Sequence, residues 1–257
     1  MANIGKVNAK IVSTEQLSAG IYSMWIEHKE MAVQAKPGQF ISVYCSDGAK
    51  LLPRPISICD IDKEQGRLRM VYRVAGAGTK EISEKQMGES IEVMGPLGNG
   101  YDLSQVKHAV LIGGGIGIPP MLALAKALSC EKTIVLGYRD AETFLLDEFK
   151  ACGKVVISTD DGSLGTKGNA LDAICANGVT GDMIFSCGPT PMLKGVKAFA
   201  AEQSIPAQLS LEERMACGIG ACLACVCQSK EVDHHTHVHN KRVCKDGPVF
   251  RAEEIEL

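Results

Sequence analysis

The chain has 257 residues, a formal net charge of −3 and 46% hydrophobic residues. That is enough for two compact domains or one large one, and the missing basic field excludes nucleic acid as the expected partner. Eleven cysteines is an odd number; with no apolar run in the opening MANIGKVNAK, they point to a reducing cytoplasm rather than a disulfide framework.

Residues 1–100 read as β-structure. KVNAKIVSTEQL, IYSMWIEH, QFISVYC, RPISICDID, RLRMVYRV and ESIEVMGPLG are short runs bounded by turn residues. Their spacing is that of a barrel or sandwich. In MVYRV, alternation puts Met70, Tyr72 and Val74 on one side and Val71 and Arg73 on the other. Within this stretch lies RPIS (54–57), where an arginine can pair with a diphosphate. VAGAGTKEIS (74–83) follows; Thr79 is placed to N-cap a helix whose amides suit a phosphate.

Residues 101–210 alternate between strands and helices, which implies a parallel sheet. HAVLIGG, TIVLGYR, KVVISTD and DMIFSCG read as strands. PPMLALAKALSC, TFLLDEFKAC, NALDAICANG and PTPMLKGVKAFAAEQS read as helices. The stretch 109–125 holds 17 residues without a charge, near the lower limit of a membrane span. Its glycines at 113, 114, 115 and 117 and prolines at 119 and 120 would break such a helix. Strand, glycine turn, helix is the better reading, and no membrane partner is expected. GGGIGIPP (113–120) lacks the third glycine of the dinucleotide fingerprint but keeps its physics, a glycine turn beside a helix N-terminus. CGPTPM (187–192) places Cys187 at another strand end. Arg139 could meet a 2′-phosphate and Asp140 beside it argues against one, which leaves NADH and NADPH both open at this point.

Residues 211–257 carry the most specific pattern. Cys217, Cys222 and Cys225 are spaced C-x4-C-x2-C, and Cys244 follows alone. That is the plant-type spacing for a [2Fe–2S] cluster. Structural zinc usually takes two C-x2-C pairs, and the second pair is missing. Cys227 is a fifth nearby cysteine. In an extended segment it would share a face with Cys225, so face alone does not choose between them; spacing favours Cys225. The run HHTHVH (234–239) reads as a solvated loop.

RPIS, GAGT, GGGIGIPPM and CGPTPM, in this order, resemble the ferredoxin–NADP reductase superfamily. LEERMACGIGACLACVC…VCKDGPVF narrows the resemblance to the electron-transfer subunits of type B dihydroorotate dehydrogenases. The resemblance spans essentially the whole chain. It implies an FAD-binding β-barrel (1–100), an α/β parallel-sheet nucleotide-binding domain (101–210) and a small C-terminal [2Fe–2S] module (211–257). Arg54 would hold the FAD diphosphate and Ser57 would face the flavin, with Pro55 and Ile56 completing that strand. Val71, Tyr72 and Arg73 would form a second flavin-contacting strand, and Gly78 and Thr79 the phosphate turn. Gly113, Gly114, Gly115, Gly117 and Cys187 would line the NAD(H) side. Cys217, Cys222, Cys225 and Cys244 would ligate the cluster. Many superfamily members carry an aromatic residue before the flavin-facing Ser or Thr; this chain has Ile56.

The implied activity is electron transfer to NAD+ from a separate FMN-containing catalytic subunit that oxidises dihydroorotate, in a heterotetramer of two copies of each. No separate catalytic acid or base is expected. Two other readings share parts of the pattern. One is a reductase subunit serving ferredoxin, sulfur or hydrogenase chemistry. The other is a non-catalytic, zinc-stabilised nucleotide-binding module.

Overall fold

The computed structural model describes residues 5–232 and 237–257. The first part of the chain folds as β1 (Val7–Ser18), β2 (Ile21–Glu27), a short helix α1 (Lys29–Gln34), β3 (Phe40–Val43), β4 (Arg54–Asp62), β5 (Arg67–Arg73), α2 (Ala77–Glu84) and β6 (Ser90–Leu97). The six strands close into a barrel in the order β1-β2-β5-β4-β3-β6. Closure follows from antiparallel pairing of β1 with β6, Val7 opposite Val93 and Lys10 opposite Ser90, which leaves no open edge. The alternation in the sequence becomes an inside and an outside: Ile11, Met24, Ile41, Val43, Met70 and Tyr72 fill the barrel, while Val71 turns outward.

The chain continues as β7 (His108–Gly114), a 3-10 turn (Gly115–Gly117), α3 (Ile118–Ala127), β8 (Glu131–Tyr138), α4 (Leu146–Lys150), β9 (Lys154–Thr159), β10 (Thr166–Lys167), α5 (Ala170–Ala176), β11 (Met183–Cys187), α6 (Thr190–Glu202) and β12 (Ala207–Ser210). The apolar stretch at 109–125 is thus strand, turn and helix, and no helix is long and apolar enough to cross a membrane. The helix expected over TFLLDEFKAC shrinks to Leu146–Lys150. Before it, the Tyr138 hydroxyl donates to the Phe144 carbonyl at 2.9 Å, and Leu145 takes a positive φ of 63° with its side chain buried. Tertiary anchoring here overrides helical propensity.

The last segment adds the hairpin β13 (Val226–Gln228) and β14 (Asn240–Arg242), then β15 (Val249–Arg251). The main sheet runs β10-β9-β8-β7-β11-β12-β15. Its strands are parallel except β15, which pairs antiparallel to β12. The C-terminal segment therefore supplies an edge strand to the middle sheet.

Two cores join these parts. One packs Ile21, Cys59 and Val71 of the barrel against Leu111, Met121 and Phe185 beneath the sheet. The other brings Phe40, Met94 and Leu97 of the barrel, Val196 and Leu209 of the sheet layer, and Cys225, Val243 and Cys244 into one apolar cluster. An ion cluster around the buried Arg69 crosses the first joint. Arg69 donates to Glu148 at 2.7 and 2.9 Å and to the Ser23 hydroxyl at 2.9 Å, and Lys126 meets Asp60.

Candidate flavin, nicotinamide and iron–sulfur site

Arg54 opens β4 at the barrel rim. Its Nη1 donates to the carbonyls of Lys50 and Leu52, and its guanidinium lies flat against Gly78 in the first turn of α2. A Cβ on residue 78 would overlap that guanidinium. The sequence thus places a fixed cation, a glycine and free first-turn amides of a helix at one point, a cradle suited to a diphosphate. Thr79 does not cap this helix as expected. Gly76 is the cap and Thr79 sits three residues in, where its Oγ1 accepts from the Ala75 and Gly76 amides at 2.9 and 3.2 Å. It shapes the turn that presents Gly78. Arg54→Ala is expected to weaken FAD binding about tenfold to a hundredfold, the worth of one charge-assisted contact. Gly78→Ala should do the same by displacing the guanidinium. Full flavin occupancy after prolonged dialysis of either variant would count against this cradle.

The strand residues divide by face. Phe40 pairs with Ser57, and Ser42 with Pro55, so these four lie on one side of β3 and β4. Pro55 is exposed and Ser57 half-buried. Ile56 points into the barrel core beside Ile41, so only its backbone is available to a ligand. Tyr72 is likewise inside, its ring 6.2 Å from that of Tyr22, with its hydroxyl buried and without a hydrogen-bond partner. Val71 packs into the barrel–sheet joint. Of the second expected flavin strand, Arg73 alone is exposed, and its guanidinium approaches Gly115 of the glycine turn.

The residues expected on the nicotinamide side come together where two loops meet at the C-terminal edge of the sheet. Cys187 stands beside Gly113 in register. A Cβ on Gly117 would overlap the Cys187 carbonyl, and one on Gly114 would collide with Met192. Gly115 holds φ +55°, a conformation that favours glycine. Gly113 packs against Ile118. The Cys187 thiol is pushed up to about 12 by burial, so it is a neutral wall group. Asp140 accepts from the Glu142 amide at 2.9 Å, closing its own turn. Met192 was not singled out in the sequence, although it lies inside the CGPTPM motif.

The four cysteines converge in two pairs. Burial alone raises the Cys217 thiol, but the backbone amides of Ile219, Cys222 and Ala221 and the Cys222 thiol bring it down to about 6. The Ile219 and Ala221 amides lie 3.5 and 3.3 Å from its sulfur. The Cys244 amide donates to Cys225 Sγ at 3.4 Å, and the Gly220 amide to Cys244 Sγ at 3.1 Å. Cys244 is pushed up to about 12, by burial and then by the Cys225 thiol beside it. Among the described residues, no group of three or more His, Cys, Asp or Glu side chains is arranged around a single ion. A 217/222 pair and a 225/244 pair suit two irons, each taking two thiolates, and amides aimed at sulfur are the contacts that tune such clusters. Cys225 ends a turn, and the chain is extended only from Val226. Cys225 and Cys227 nevertheless pack on the same core, Cys225 buried within it and Cys227 half-buried against it. Cys227 pairs across the hairpin with Lys241, its thiol pushed up to about 11 by burial and then by Glu213. Residues 234–236 of the histidine run lie outside the described residues; His239 Nδ1 lies 3.0 Å from the Lys230 carbonyl.

Residues 212–256 match the iron–sulfur cluster binding domain of dihydroorotate dehydrogenase B, and residues 8–101 an oxidoreductase FAD-binding domain. The chain is 43% identical to the electron transfer subunit of dihydroorotate dehydrogenase B (NAD(+)) from Bacillus pumilus, over 98% of both chains. It is 39% identical to that from Caldanaerobacter subterraneus subsp. tengcongensis, over 97% of this chain and 98% of the other. The chain belongs to this family. Among solved structures, the NADH-dependent reduced ferredoxin–NADP oxidoreductase of flavin-based electron bifurcation is similar with a TM-score of 0.87 and 32% identity, covering 96% of this chain and 89% of that one. A ferredoxin–NADP+ reductase from Neisseria gonorrhoeae with bound FAD and NADP shares the fold, with a TM-score of 0.64 and 15% identity over 77% of this chain and 91% of that one.

Proposed function

We propose that the chain is the electron-transfer subunit of a cytoplasmic, NAD-dependent dihydroorotate dehydrogenase, linking an FMN-containing, dihydroorotate-oxidising partner to NAD+ in pyrimidine synthesis. Two copies of each subunit would form the working enzyme. The observation that carries this reading is the placement of Gly218, next to Cys217, directly on Ser42 of β3, whose cross-strand neighbour is Pro55 of RPIS. The cysteine loop and the flavin strand are thus adjoining surfaces of one packed unit.

The residues divide the work by position. Arg54 and the first turn of α2 would hold the FAD diphosphate, with Pro55, Ser57 and the backbone of Ile56 against the flavin. Arg73 stands at the mouth between the barrel and the glycine turn. Gly113 to Gly117 and the Cys187 strand end would receive the nicotinamide nucleotide at the edge of the sheet. Cys217, Cys222, Cys225 and Cys244 would hold the cluster. FAD, when bound, can exchange a hydride with a nicotinamide and single electrons with an iron–sulfur cluster. The chain's own contribution would be alignment and exclusion of water. The domain limits 1–100, 101–210 and 211–257 are proposed as functional segments; β15 ties the third into the sheet of the second.

Cofactor analysis tests the reading. The purified chain is expected to hold about one FAD and one [2Fe–2S] cluster, to oxidise NADH with an artificial acceptor, and to convert dihydroorotate only when its partner is added. Stoichiometric zinc without acid-labile sulfide would sink it. A second reading draws on the likeness to the ferredoxin–NADP oxidoreductase structure, in which the same architecture serves ferredoxin chemistry. Isolation of the native complex separates the two: a dihydroorotate-oxidising flavoprotein supports the first, and a ferredoxin-reducing one the second.

A further inference from the structure

Ser42 is 1% exposed, and its hydroxyl has no hydrogen-bond partner. It lies on β3 between Ile41 and Val43, both of which point into the barrel. The hydroxyl therefore points the other way, toward the cysteine loop. Around it are Met94, its neighbour on β6, and Leu97, neither of which can accept a strong hydrogen bond. Gly218 approaches so closely that a Cβ there would stand 2.9 Å from Ser42 Oγ, and it does so at φ +71°, a conformation that favours glycine. A buried hydroxyl without a partner is costly, and native structures almost always supply one. Cys217 adjoins Gly218 in the chain, so a cluster that it helps to hold would offer sulfur acceptors on this side.

We propose that Ser42 is a positioning residue of the electron path: its hydroxyl donates to a sulfur of the cluster, either the Cys217 thiolate or a bridging sulfide. A donor to sulfur stabilises the reduced, more negative state and raises the reduction potential. Ser42 also sits across from Pro55 of the flavin strand, so its hydroxyl would set the cluster's potential on the side facing FAD. This rests on the reading of Cys217, Cys222, Cys225 and Cys244 as the ligands.

The test uses the full chain in complex with its catalytic partner, comparing wild type with Ser42→Ala and Ser42→Thr. Iron, sulfide and FAD contents are measured first, then the cluster potential by electron-paramagnetic-resonance titration. Exchangeable protons near the reduced cluster are read by hyperfine spectroscopy in deuterated and ordinary water. Ser42→Ala is expected to keep the cluster while lowering its potential by about 59 mV, a tenfold change for a one-electron couple. It should also lose one exchangeable-proton coupling, leave the FAD potential unchanged, and be restored by Ser42→Thr. An unchanged cluster potential and unchanged couplings in a fully loaded Ser42→Ala protein would overturn the proposal. So would a shifted FAD potential with the cluster unmoved, which would assign the hydroxyl to the flavin. Wild-type protein lacking such a coupling would overturn it without any variant. Wild-type protein holding no cluster at all would instead overturn the ligand assignment beneath it.

Discussion

Cys225→Ser is expected to abolish the cluster, and Cys227→Ser to leave it intact. Both changes replace one thiol by a hydroxyl a few residues past Cys222, so a general disturbance of the loop would affect them alike. The geometry says otherwise. Cys225 is buried, ends a turn and takes the Cys244 amide on its sulfur at 3.4 Å. Cys227 lies on β13 opposite Lys241, with a thiol held protonated by burial and the nearby Glu213 carboxylate. The C-x4-C-x2-C spacing likewise reaches Cys225 and not Cys227. Visible absorption, iron and acid-labile sulfide should all fall to background in Cys225→Ser and match wild type in Cys227→Ser. The reverse pattern would show that Cys227 is the ligand.

Much of this arrangement is written in short-range pattern. Alternation in MVYRV separates the residues that fill the barrel from Val71, which meets the sheet. Strand, glycine turn and proline-led helix are legible at 109–125 because glycine and proline act locally. The cysteine spacing is legible because four thiolates must reach one small cluster. Other features depend on partners distant in sequence. Three residues of β15 have too little length to show a period, and only β12 makes them a strand. Alternation assigns Tyr72 a side but does not say that this side is the barrel interior, which is decided only by the pairing of β5 with β2 and β4 in the closed barrel. Thr79 reads as a cap because Thr favours that position; the glycine three residues earlier takes it instead, leaving the helix start free to approach Arg54. Ser42 is one serine in a four-residue strand. Its burial beneath Gly218 emerges only when residues 42 and 218 are brought together, and no local signal announces that contact.

Cys222→Ser should divide the chain's two activities. Cys222 is the most exposed of the four cysteines, whereas Cys225 and Cys244 are buried in the core shared with Phe40 and Leu97. Its replacement removes a ligand with little loss of packing, so the barrel and the sheet should remain folded and still take up FAD and NADH. On the proposed assignment, hydride exchange would need only the Arg54–Gly78 cradle, the RPIS strand and the two loops that meet at Gly117 and Cys187, none of which includes Cys222. Transfer to the catalytic partner needs a one-electron carrier, which an incomplete cysteine set would not hold. In stopped flow, NADH should bleach the FAD of Cys222→Ser at a rate within about twofold of wild type. Reduction of the partner's FMN in the same mixture should fall at least about a hundredfold, which corresponds to a barrier raised by about 2.7 kcal/mol at the 1.36 kcal/mol per decade of transition-state arithmetic. Slow FAD bleaching would mean that the cysteine loop also supports the nicotinamide side. Unimpaired FMN reduction in a complex shown by iron and sulfide analysis to lack the cluster would rule out a path through the four cysteines.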